Sequence, residues 1–293
     1  MDNGIVLERF VYVEDMMVER LFALKGSVES SDGIDSCIDL DSRLNFSDGL
    51  HSLMVASSNG EVVGIASIFA PRREEGEIAV CVDLPFRRKG VGTSLVHLAL
   101  DELRTHRVEK ALLVCDERSQ GGKRFVEACN GVPLFHEYGM RLTAHVPGVV
   151  PEGFSVRLAE YGDGGKMAAI CSSAYGDEYA SSLAFINTSM DAVGRRGYVG
   201  LLHGRIVGMC FVGFHSDVLS LNTVAVDPAF QGMGLGKALI SLVIELVSSP
   251  RLSLVLDVDS TNSKAFGLYR ALGFSVEKDI AYYGVDIHFG DRI

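Results

Sequence analysis

A 17-residue segment occurs twice in this chain, at residues 80–96 and 224–240, with an offset of 144 residues and no gap. In each copy a short apolar run ends in Val-Asp, a glycine-containing turn follows, and an apolar helix pattern begins. A second match at the same offset joins residues 60–64 to 204–208, which share a Gly-x-x-Val-Gly pattern. A period of about 145 residues is the size of a whole domain, so the repeat predicts a duplicated domain and excludes a solenoid of small units.

The chain is long enough, at 293 residues, for two domains with full-sized cores. Residues 146–153 contain two prolines and two glycines between periodic segments, a composition that is typical of a linker. The sequence therefore predicts an N-terminal domain over residues 1–147 and a C-terminal domain over residues 148–293.

The hydrophobic pattern of each half has the order β-α-α-β-β-β-α-β-α-β. This order predicts an α/β (α+β) fold of two tandem domains, each with a mixed, mostly antiparallel sheet flanked by helices. A parallel strand pair is expected beside the helix that follows the glycine turn, joined by a right-handed crossover. Near the start, a helix is predicted over residues 14–24, and the acidic, serine-rich residues 27–49 are expected to form a loop or a weak helix.

Charge and composition exclude several function classes. The formal net charge is −11 and neither half is basic, which argues against nucleic-acid binding as the main activity. The six cysteines and eight histidines show no metal-ligand spacing, so no metal site is predicted. The N-terminal residues lack the basic start of a signal peptide, and no apolar run reaches the length of a membrane span. We expect a cytoplasmic protein that binds neither membranes nor nucleic acids.

Strand, glycine turn and helix together form a common anion-binding arrangement, because glycines permit close approach and the first helical amides are unpaired. A Walker-type nucleotide loop does not fit, because Lys237 is followed by Ala238, which lacks the hydroxyl that holds Mg²⁺. A dinucleotide fingerprint does not fit, because Gly232, Gly234 and Gly236 depart from the G-x-G-x-x-G spacing. A tight turn that binds no ligand remains the alternative.

A third pattern, Gln/Arg-x-x-Gly-x-Gly/Ala after a strand ending in Val-Asp, fits both copies, at residues 231–236 and 87–92. It resembles the pyrophosphate-binding loop of the GNAT superfamily of acyl-CoA N-acyltransferases. Residues 262–274 are similar to a later GNAT segment, with a helix-opening asparagine, an aromatic residue, a tyrosine and a Gly-Phe ending. The resemblance covers residues 198–288 well and residues 52–142 moderately.

The resemblance implies acetyl-CoA as the acyl donor, with its diphosphate on the loop amides and its pantetheine arm added as a strand along residues 224–226. In the C-terminal half the implied cofactor-binding residues are Val224, Ala225, Val226, Gln231, Gly232, Met233, Gly234, Leu235, Gly236, Lys237 and Asn262. In the N-terminal half they are Arg87, Arg88, Lys89, Gly90 and Gly92. The alternative for the N-terminal loop is a solvated surface turn.

The first copy departs from the family pattern after its loop. Alignment of the two later segments places Gly121 opposite Asn262 and Ala128 opposite Tyr269. The N-terminal half is therefore predicted to be degenerate, either binding CoA or serving structurally, and the C-terminal half is predicted to be catalytic.

Acyl transfer to an amine needs a proton donor for the leaving thiolate, and a phenol with an ordinary pKa near 10 suits that role. The resemblance places Tyr269 near the CoA sulfur, so Tyr269 is the candidate acid; a packed helix tyrosine is the alternative. The candidates for the general base are Asp217, just before the central strand, and Glu178, on a helical segment expected to overhang the cleft. For either carboxylate the alternative is a solvated surface acid.

Taken with the resemblance, these residues predict an acetyltransferase whose C-terminal domain moves an acetyl group from acetyl-CoA to a primary amine by direct attack in a ternary complex. The acceptor is expected to be a small-molecule amine, or else a protein amine, and the protein a monomer or a homodimer. A non-catalytic CoA-binding or protein-interaction module is the alternative, although such a module has no need for the Asn262 and Tyr269 segment.

Overall fold

The computed structural model describes residues 4–40, 42–215, 217–247, 249 and 252–289. The chain divides into two compact units. The N-terminal unit comprises Met1–His136 together with Asp279–Ile293, and the C-terminal unit comprises Glu137–Lys278.

Both units combine helices with strands, as the sequence predicts. The helices are α1 Asp15–Asp32, α2 Val91–Thr105, α3 Gln120–Ala128, α4 Gly164–Tyr175, α5 Tyr179–Asp191, α6 Leu235–Val247 and α7 Ser263–Leu272. The strands are β1 Ile5–Phe10, β2 Leu53–Ser58, β3 Glu61–Phe69, β4 Glu75–Val82, β5 Lys110–Asp116, β6 Val132–Leu142, β7 Phe154–Leu158, β8 Arg195–Leu202, β9 Arg205–His215, β10 Val218–Val226, β11 Ser253–Asp259 and β12 Phe274–Val285.

The strands of the two units follow the same order. In the N-terminal unit the strand order is β1, β2, β3, β4, β5 and then Ile280–Val285 of β12. In the C-terminal unit it is β7, β8, β9, β10, β11 and then Glu137–Arg141 of β6. The pairs β4–β5 and β10–β11 are parallel and the others in these series are antiparallel. The predicted mixed, mostly antiparallel sheet flanked by helices is therefore confirmed.

Each sheet is completed by a strand from the other half of the sequence. The repeat predicts a division after residue 147, whereas the compact units divide after His136 and again after Lys278. The physical reason is that both halves end in an extended segment suited to the same antiparallel position beside a β5-type strand. An exchange of two equivalent elements preserves the pairing at each sheet, so it carries little energetic penalty.

The linker is fixed to the C-terminal unit by hydrogen bonds. The amide of Val146 donates to the carbonyl of Leu272 at 3.0 Å, at the end of α7. The amide of Gly148 donates to the hydroxyl of the buried Ser241 on α6 at 2.9 Å. Residues 146–148 therefore lie within the C-terminal unit and pack on its helices.

Helix α1 is longer than the sequence predicts, because it continues from residue 24 to Asp32. Leu21, Leu24 and Val28 are buried along one face, so the serine-rich end of the helix still packs on the sheet. Gly33 ends the helix in the left-handed conformation, with φ of 67°, and its amide donates to the Glu29 carbonyl. Tertiary burial overrides the weak local helix propensity of this stretch.

Both sheets are covered by apolar side chains on both faces. In the N-terminal unit, residues of α2 and α3 pack on one face and residues of α1 on the other. In the C-terminal unit, α6 and α7 contribute to one cluster and α4 and α5 to the other. In the described part of the chain, no helix has both the length and the apolar content needed to cross a membrane.

Candidate functional site

A gap opens between β10 and β11 in the C-terminal unit. The two strands pair in parallel from Val218 opposite Ser253 to Ser220 opposite Val255. Beyond that point, residues 221–226 have no strand partner on this side among the described residues. On the gap side the Val224 and Val226 carbonyls accept from the Tyr175 hydroxyl and the Gln231 side-chain amide. The amides on this side can meet an extended ligand, which can add to the edge as a strand does.

Strand β10 carries a bulge where the gap begins. Asn222 pairs with Phe211 and Ala225 pairs with Met209, so Thr223 and Val224 together oppose one residue of β9. Thr223 has φ of 51°, a conformation that is strained for a β-branched residue. Bulges and strained residues of this kind concentrate at functional sites, where they redirect backbone groups.

The backbone of β10 presents Val224 and Val226 to the gap. The amide of Asp227 donates to Val207 on β9 at 2.9 Å, and a Cβ at Gly208 would lie 3.2 Å from the Ala225 carbonyl oxygen. Since successive residues of a strand point their amides and carbonyls to opposite edges, those of Val224 and Val226 face away from β9. Of the three strand residues predicted to bind the cofactor, Ala225 is therefore turned toward β9.

The glycine loop after β10 has the geometry of an anion-binding turn. Gly232 and Gly234 have φ of 79° and 77°, and apart from its chain neighbours no atom of the described residues lies within 4 Å of a Cβ built on either one. Helical hydrogen bonding begins with the amide of Ala238, which donates to Gly234, so the preceding amides have no acceptor within the helix. These amides belong to Gly232, Met233, Gly234, Leu235, Gly236 and Lys237.

Two further contacts give the loop its shape. A Cβ on Gly236 would lie 3.3 Å from Leu268 on α7 and 3.7 Å from Val226, so glycine allows α6 to pack closely there. The side-chain amide of Gln231 donates to the Val226 carbonyl at 3.1 Å. Gln231 thereby ties the loop back to the end of β10.

The N-terminal loop has the same geometry with different electrostatics. Arg88 and Gly90 have φ of 61° and 85°, matching Gly232 and Gly234 in the other unit. Arg87 donates from Nε to the Val82 carbonyl at 2.8 Å, as Gln231 does to Val226. Its guanidinium also forms a bidentate pair with Asp32, at 3.0 and 2.8 Å. The charge of Arg87 is therefore matched by a carboxylate of the same unit.

A second basic residue of the loop contacts an aromatic ring. Lys89 lies over the ring of Phe86, with 5.4 Å between its Nζ and the ring centroid. A Cβ on Gly92 would lie 3.2 Å from the ring of Phe125 on α3, the counterpart of the contact between Gly236 and α7. The N-terminal loop thus keeps the backbone turn and the close helix packing of the C-terminal loop.

The structure corrects the alignment of the two later segments. Asn262 is the N-cap of α7 and accepts from the Ala265 amide at 3.1 Å. The N-cap of α3 is Ser119, which accepts from the Gly122 amide at 3.0 Å, so Ser119 and not Gly121 corresponds to Asn262. The alignment made from sequence is shifted by two residues, because the sequence alone does not show where each helix begins.

With this register, Val126 occupies the position of Tyr269, in place of Ala128. Both side chains are buried, Val126 in the N-terminal unit and Tyr269 in the C-terminal unit. The N-terminal unit thus has no phenol at this point of α3, as the sequence predicts.

Tyr269 lies within the apolar core of the C-terminal unit. Its ring contacts Phe274 edge-on at 5.9 Å, and the Val224 side chain packs against the same apolar cluster. Burial raises the pKa of Tyr269 to about 12, with a smaller contribution from Cys210. Among the described residues, the Tyr269 hydroxyl has no hydrogen-bond partner. The phenol therefore stays protonated at neutral pH.

The two predicted bases lie at different distances from the gap. Asp217 is exposed before the first residue of β10, and its carbonyl accepts from Ser253, so it lies at the paired end of the strand. Glu178 is exposed just before α5. It follows Tyr175 by three residues, and the Tyr175 hydroxyl donates to the Val224 carbonyl at 2.9 Å. The chain carrying Glu178 therefore passes close to the bulge.

A third carboxylate, Asp257, lies beside the gap and is not among the sequence predictions. It is exposed on β11, two residues beyond Val255, which pairs with Ser220, so all three side chains face the same side of the sheet. On the exchanged strand β6 its partner is Gly139, where a Cβ would lie 3.3 Å from Asp257 Oδ1. Only strand register reveals this placement; the alternating pattern of β11 shows no more than that Asp257 is on the polar face.

The described residues contain no cluster suited to bind a metal ion. Nowhere in them do three or more His, Cys, Asp or Glu side chains come together in a group that could hold a metal ion. The six cysteines form no disulfide with one another, and five of them are buried.

Two regions of the chain, residues 17–131 and 167–274, match the profile of the acetyltransferase (GNAT) family. The chain belongs to this family. A mycothiol acetyltransferase from Mycobacterium sp. (strain MCS) is 30% identical over 260 residues, which cover 80% of this chain and 83% of that protein.

Two solved structures resemble the whole chain in fold. One is a GCN5-related N-acetyltransferase from Sphaerobacter thermophilus, with a TM-score of 0.74 and 18% identity, covering 98% of this chain and 97% of that one. The other is a tandem GNAT protein from the clavulanic acid biosynthesis pathway, with a TM-score of 0.73 and 15% identity, covering 97% and 98%. The predicted family and the predicted tandem arrangement are therefore confirmed.

Proposed function

We propose that the C-terminal unit transfers an acetyl group from acetyl-CoA to a primary amine, by direct attack in a ternary complex. The observation that carries this proposal is the continuity of two features. The edge of β10 at Val224 and Val226, whose amides face the gap, leads directly into the loop whose amides, from Gly232 to Lys237, have no acceptor in the helix. An extended amide-containing arm ending in a diphosphate fits such a surface.

The residues present fit CoA in their chemistry as well as in their order. The open side of Gly232 and Gly234 leaves room for phosphate oxygens against the loop amides. Asn262 uses its side-chain oxygen as a helix cap, which leaves its NH₂ group for a carbonyl or adenine of the coenzyme. When bound, acetyl-CoA supplies an acyl group that is already activated as a thioester.

Three groups of the chain then act on the reacting atoms. The Val224 amide, on the gap edge, stabilises negative charge on the thioester oxygen as the amine nitrogen forms its bond to the carbonyl carbon. The Tyr269 hydroxyl gives its proton to the sulfur as the carbon–sulfur bond breaks. A carboxylate takes the proton released by the amine, either directly or through water.

Three carboxylates are candidates for the general base. Asp217 and Glu178 are the residues that the sequence predicts, and Asp257 is added because of its place beside the gap. Replacement of the true base by its amide should lower kcat/KM and flatten the acidic limb of the pH–rate profile. The three matched variants Asp217→Asn, Glu178→Gln and Asp257→Asn, compared under one set of conditions, assign the role to the residue whose loss changes the profile.

The acceptor is proposed to be a small-molecule amine, with a protein amine as the second possibility. The name of the mycothiol acetyltransferase relative supports the small-molecule class. The N-terminal loop, with Arg87, Arg88, Lys89, Gly90 and Gly92, remains a second proposed CoA site. The pairing of Arg87 with Asp32 reduces the net positive charge that the loop offers to a phosphate.

The test is acetyl-CoA turnover by the full chain over a panel of small amines and peptides. Tyr269→Phe should lower kcat by roughly 10²–10⁴-fold at saturating acetyl-CoA if the phenol is the acid. Tyr198→Phe, which alters another buried tyrosine of the same core cluster, is the matched control. Tight CoA binding without acetyl transfer to any acceptor would instead favour the non-catalytic module.

A further inference from the structure

The last residue of α4 reaches the edge of β10 that faces the gap. The Tyr175 hydroxyl donates to the Val224 carbonyl at 2.9 Å, although the tyrosine side chain is 51% exposed. The Val224 amide lies on the same edge as this carbonyl. Tyr175 therefore makes a direct hydrogen bond to the residue whose amide is proposed to stabilise the thioester oxygen.

This residue belongs to a strained segment that requires support. A positive φ at a β-branched residue such as Thr223 persists only where the surrounding structure fixes it. Arg195 Nη2 lies 3.5 Å from the Thr223 hydroxyl, and its guanidinium packs over the rings of Phe211 and Phe185. Side chains from α4 and β8 thus contact two successive residues of the bulge.

The N-terminal unit provides an internal comparison. Its strand β4 pairs with β3 in continuous register, from Gly64 opposite Val82 to Phe69 opposite Glu77. Within β4 no described residue has a positive φ, and α1 contains no tyrosine. The bulge and the tyrosine contact occur together in the C-terminal unit. Both are missing from the described residues of β4 and α1 in the N-terminal unit.

We propose that Tyr175 is a positioning residue for acyl transfer, acting through the bulge and not on the reacting atoms. Its hydrogen bond fixes the orientation of the Val224 backbone, and so the direction of the amide that meets the developing oxyanion. The carbonyl keeps a second lone pair for an amide of the bound pantetheine arm, so the hydroxyl and the coenzyme are compatible. This inference rests on the proposed function.

The test compares Tyr175→Phe with Tyr161→Phe in the full chain. Tyr161 is an exposed tyrosine of the same unit whose hydroxyl donates to Asp191 at 2.9 Å, so its loss controls for the removal of a surface hydrogen bond. Steady-state kinetics give kcat and KM for acetyl-CoA, calorimetry gives the Kd for CoA, and thermal unfolding reports stability.

For Tyr175→Phe we expect kcat to fall roughly five- to tenfold, the effect of losing one aligned hydrogen bond that matters in the transition state. The KM for acetyl-CoA and the Kd for CoA should stay within about twofold of wild type, because the diphosphate loop is untouched. Tyr161→Phe should leave kcat unchanged. Both variants should lower the unfolding temperature by a similar small amount. A purely structural role for Tyr175 would not separate kcat from KM in this way.

Two results overturn the inference alone. One is a kcat for Tyr175→Phe equal to that of Tyr161→Phe in an enzyme whose wild type turns over. The other is tighter CoA binding by Tyr175→Phe, because the hydroxyl would then compete with the coenzyme. Absence of turnover by the wild-type chain with every acceptor overturns the proposed function, and the inference with it.

Discussion

Replacement of Gly234 by alanine tests whether the glycine loop of the C-terminal unit holds a diphosphate. Gly234 has φ of 77°, and a Cβ built there meets nothing within 4 Å, so the substitution adds backbone strain without a clash. Left-handed backbone costs about 1–2 kcal/mol in a residue with a Cβ. In a chain of this size that corresponds to a fall of roughly 2–8 °C in Tm.

The expected effect on binding is larger than the effect on stability. Relaxation of residue 234 toward negative φ turns the neighbouring amides away from the site. Each charge-assisted hydrogen bond to a phosphate contributes about 1.5–3 kcal/mol, so the loss of one should raise the Kd for CoA by roughly 10- to 100-fold. Isothermal titration calorimetry, performed well below the Tm of the variant, measures this directly.

Two matched substitutions separate strain from binding. Gly90→Ala introduces the same strain at φ of 85° in the N-terminal loop, again with nothing within 4 Å, and should lower the Tm without changing turnover. Gly267→Ala lies within α7 with open space around its Cβ and should raise stability by about 0.5–1 kcal/mol. Wild-type CoA affinity in Gly234→Ala, together with the expected fall in Tm, would refute the assignment of the diphosphate to this loop.

Substitutions at three positions test other parts of the account. Burial raises the pKa of the Tyr269 phenol from 10 to about 12, so folding stability is lost as pH rises from 10 to 12, by about 1 kcal/mol at pH 11. Tyr269→Phe should weaken this alkaline loss, and urea unfolding at pH 9 and 11 gives the difference from wild type. Gly273→Ala should lower the free energy of unfolding by about 3 kcal/mol or more, since its Cβ would lie 1.7 Å from the Ala144 carbonyl oxygen at φ of 96°; a change below 1 kcal/mol in chemical denaturation would contradict that packing. Asn262→Ala should lose about 1 kcal/mol of helix capping, whereas Asn262→Asp keeps the cap, so a weaker CoA affinity in the aspartate variant isolates the coenzyme contact.

The backbone geometry of the C-terminal glycine loop could be predicted from sequence because it is local. A glycine loop between an apolar strand and an apolar helix specifies its own backbone, and Gly232 and Gly234 do adopt positive φ. The parallel pair β10–β11 follows from the crossover through α6. Features that depend only on neighbouring residues in the chain could therefore be predicted from the sequence.

Features that depend on strand register could not be predicted from the sequence. Residues 218–226 form an uninterrupted strand pattern, and nothing in that pattern marks Thr223 as the bulged position. The contact of Tyr175 with Val224 joins residues 49 positions apart. Asp257 becomes a candidate only once β11 is known to diverge from β10 after Val255.

The exchange of β6 and β12 was hidden for a related reason. Both segments are extended, and both suit the same antiparallel position beside β5 or β11, so their composition does not specify a partner. The sequence repeat favours continuous halves, because it reports ancestry and carries no information on strand pairing. The helix α1 was predicted too short because burial of Val28 stabilises a serine-rich turn that is weakly helical by itself.

The most direct test of the central claim is an amide NMR titration of the full chain with acetyl-CoA. Binding as proposed should shift the backbone resonances of Gly232, Gly234 and Gly236 most strongly, together with those of Val224 and Val226. Resonances of Gly90 and Gly92 report in the same spectra whether the N-terminal loop is also occupied. Saturating acetyl-CoA that leaves the amides of residues 232–236 unchanged would contradict the account.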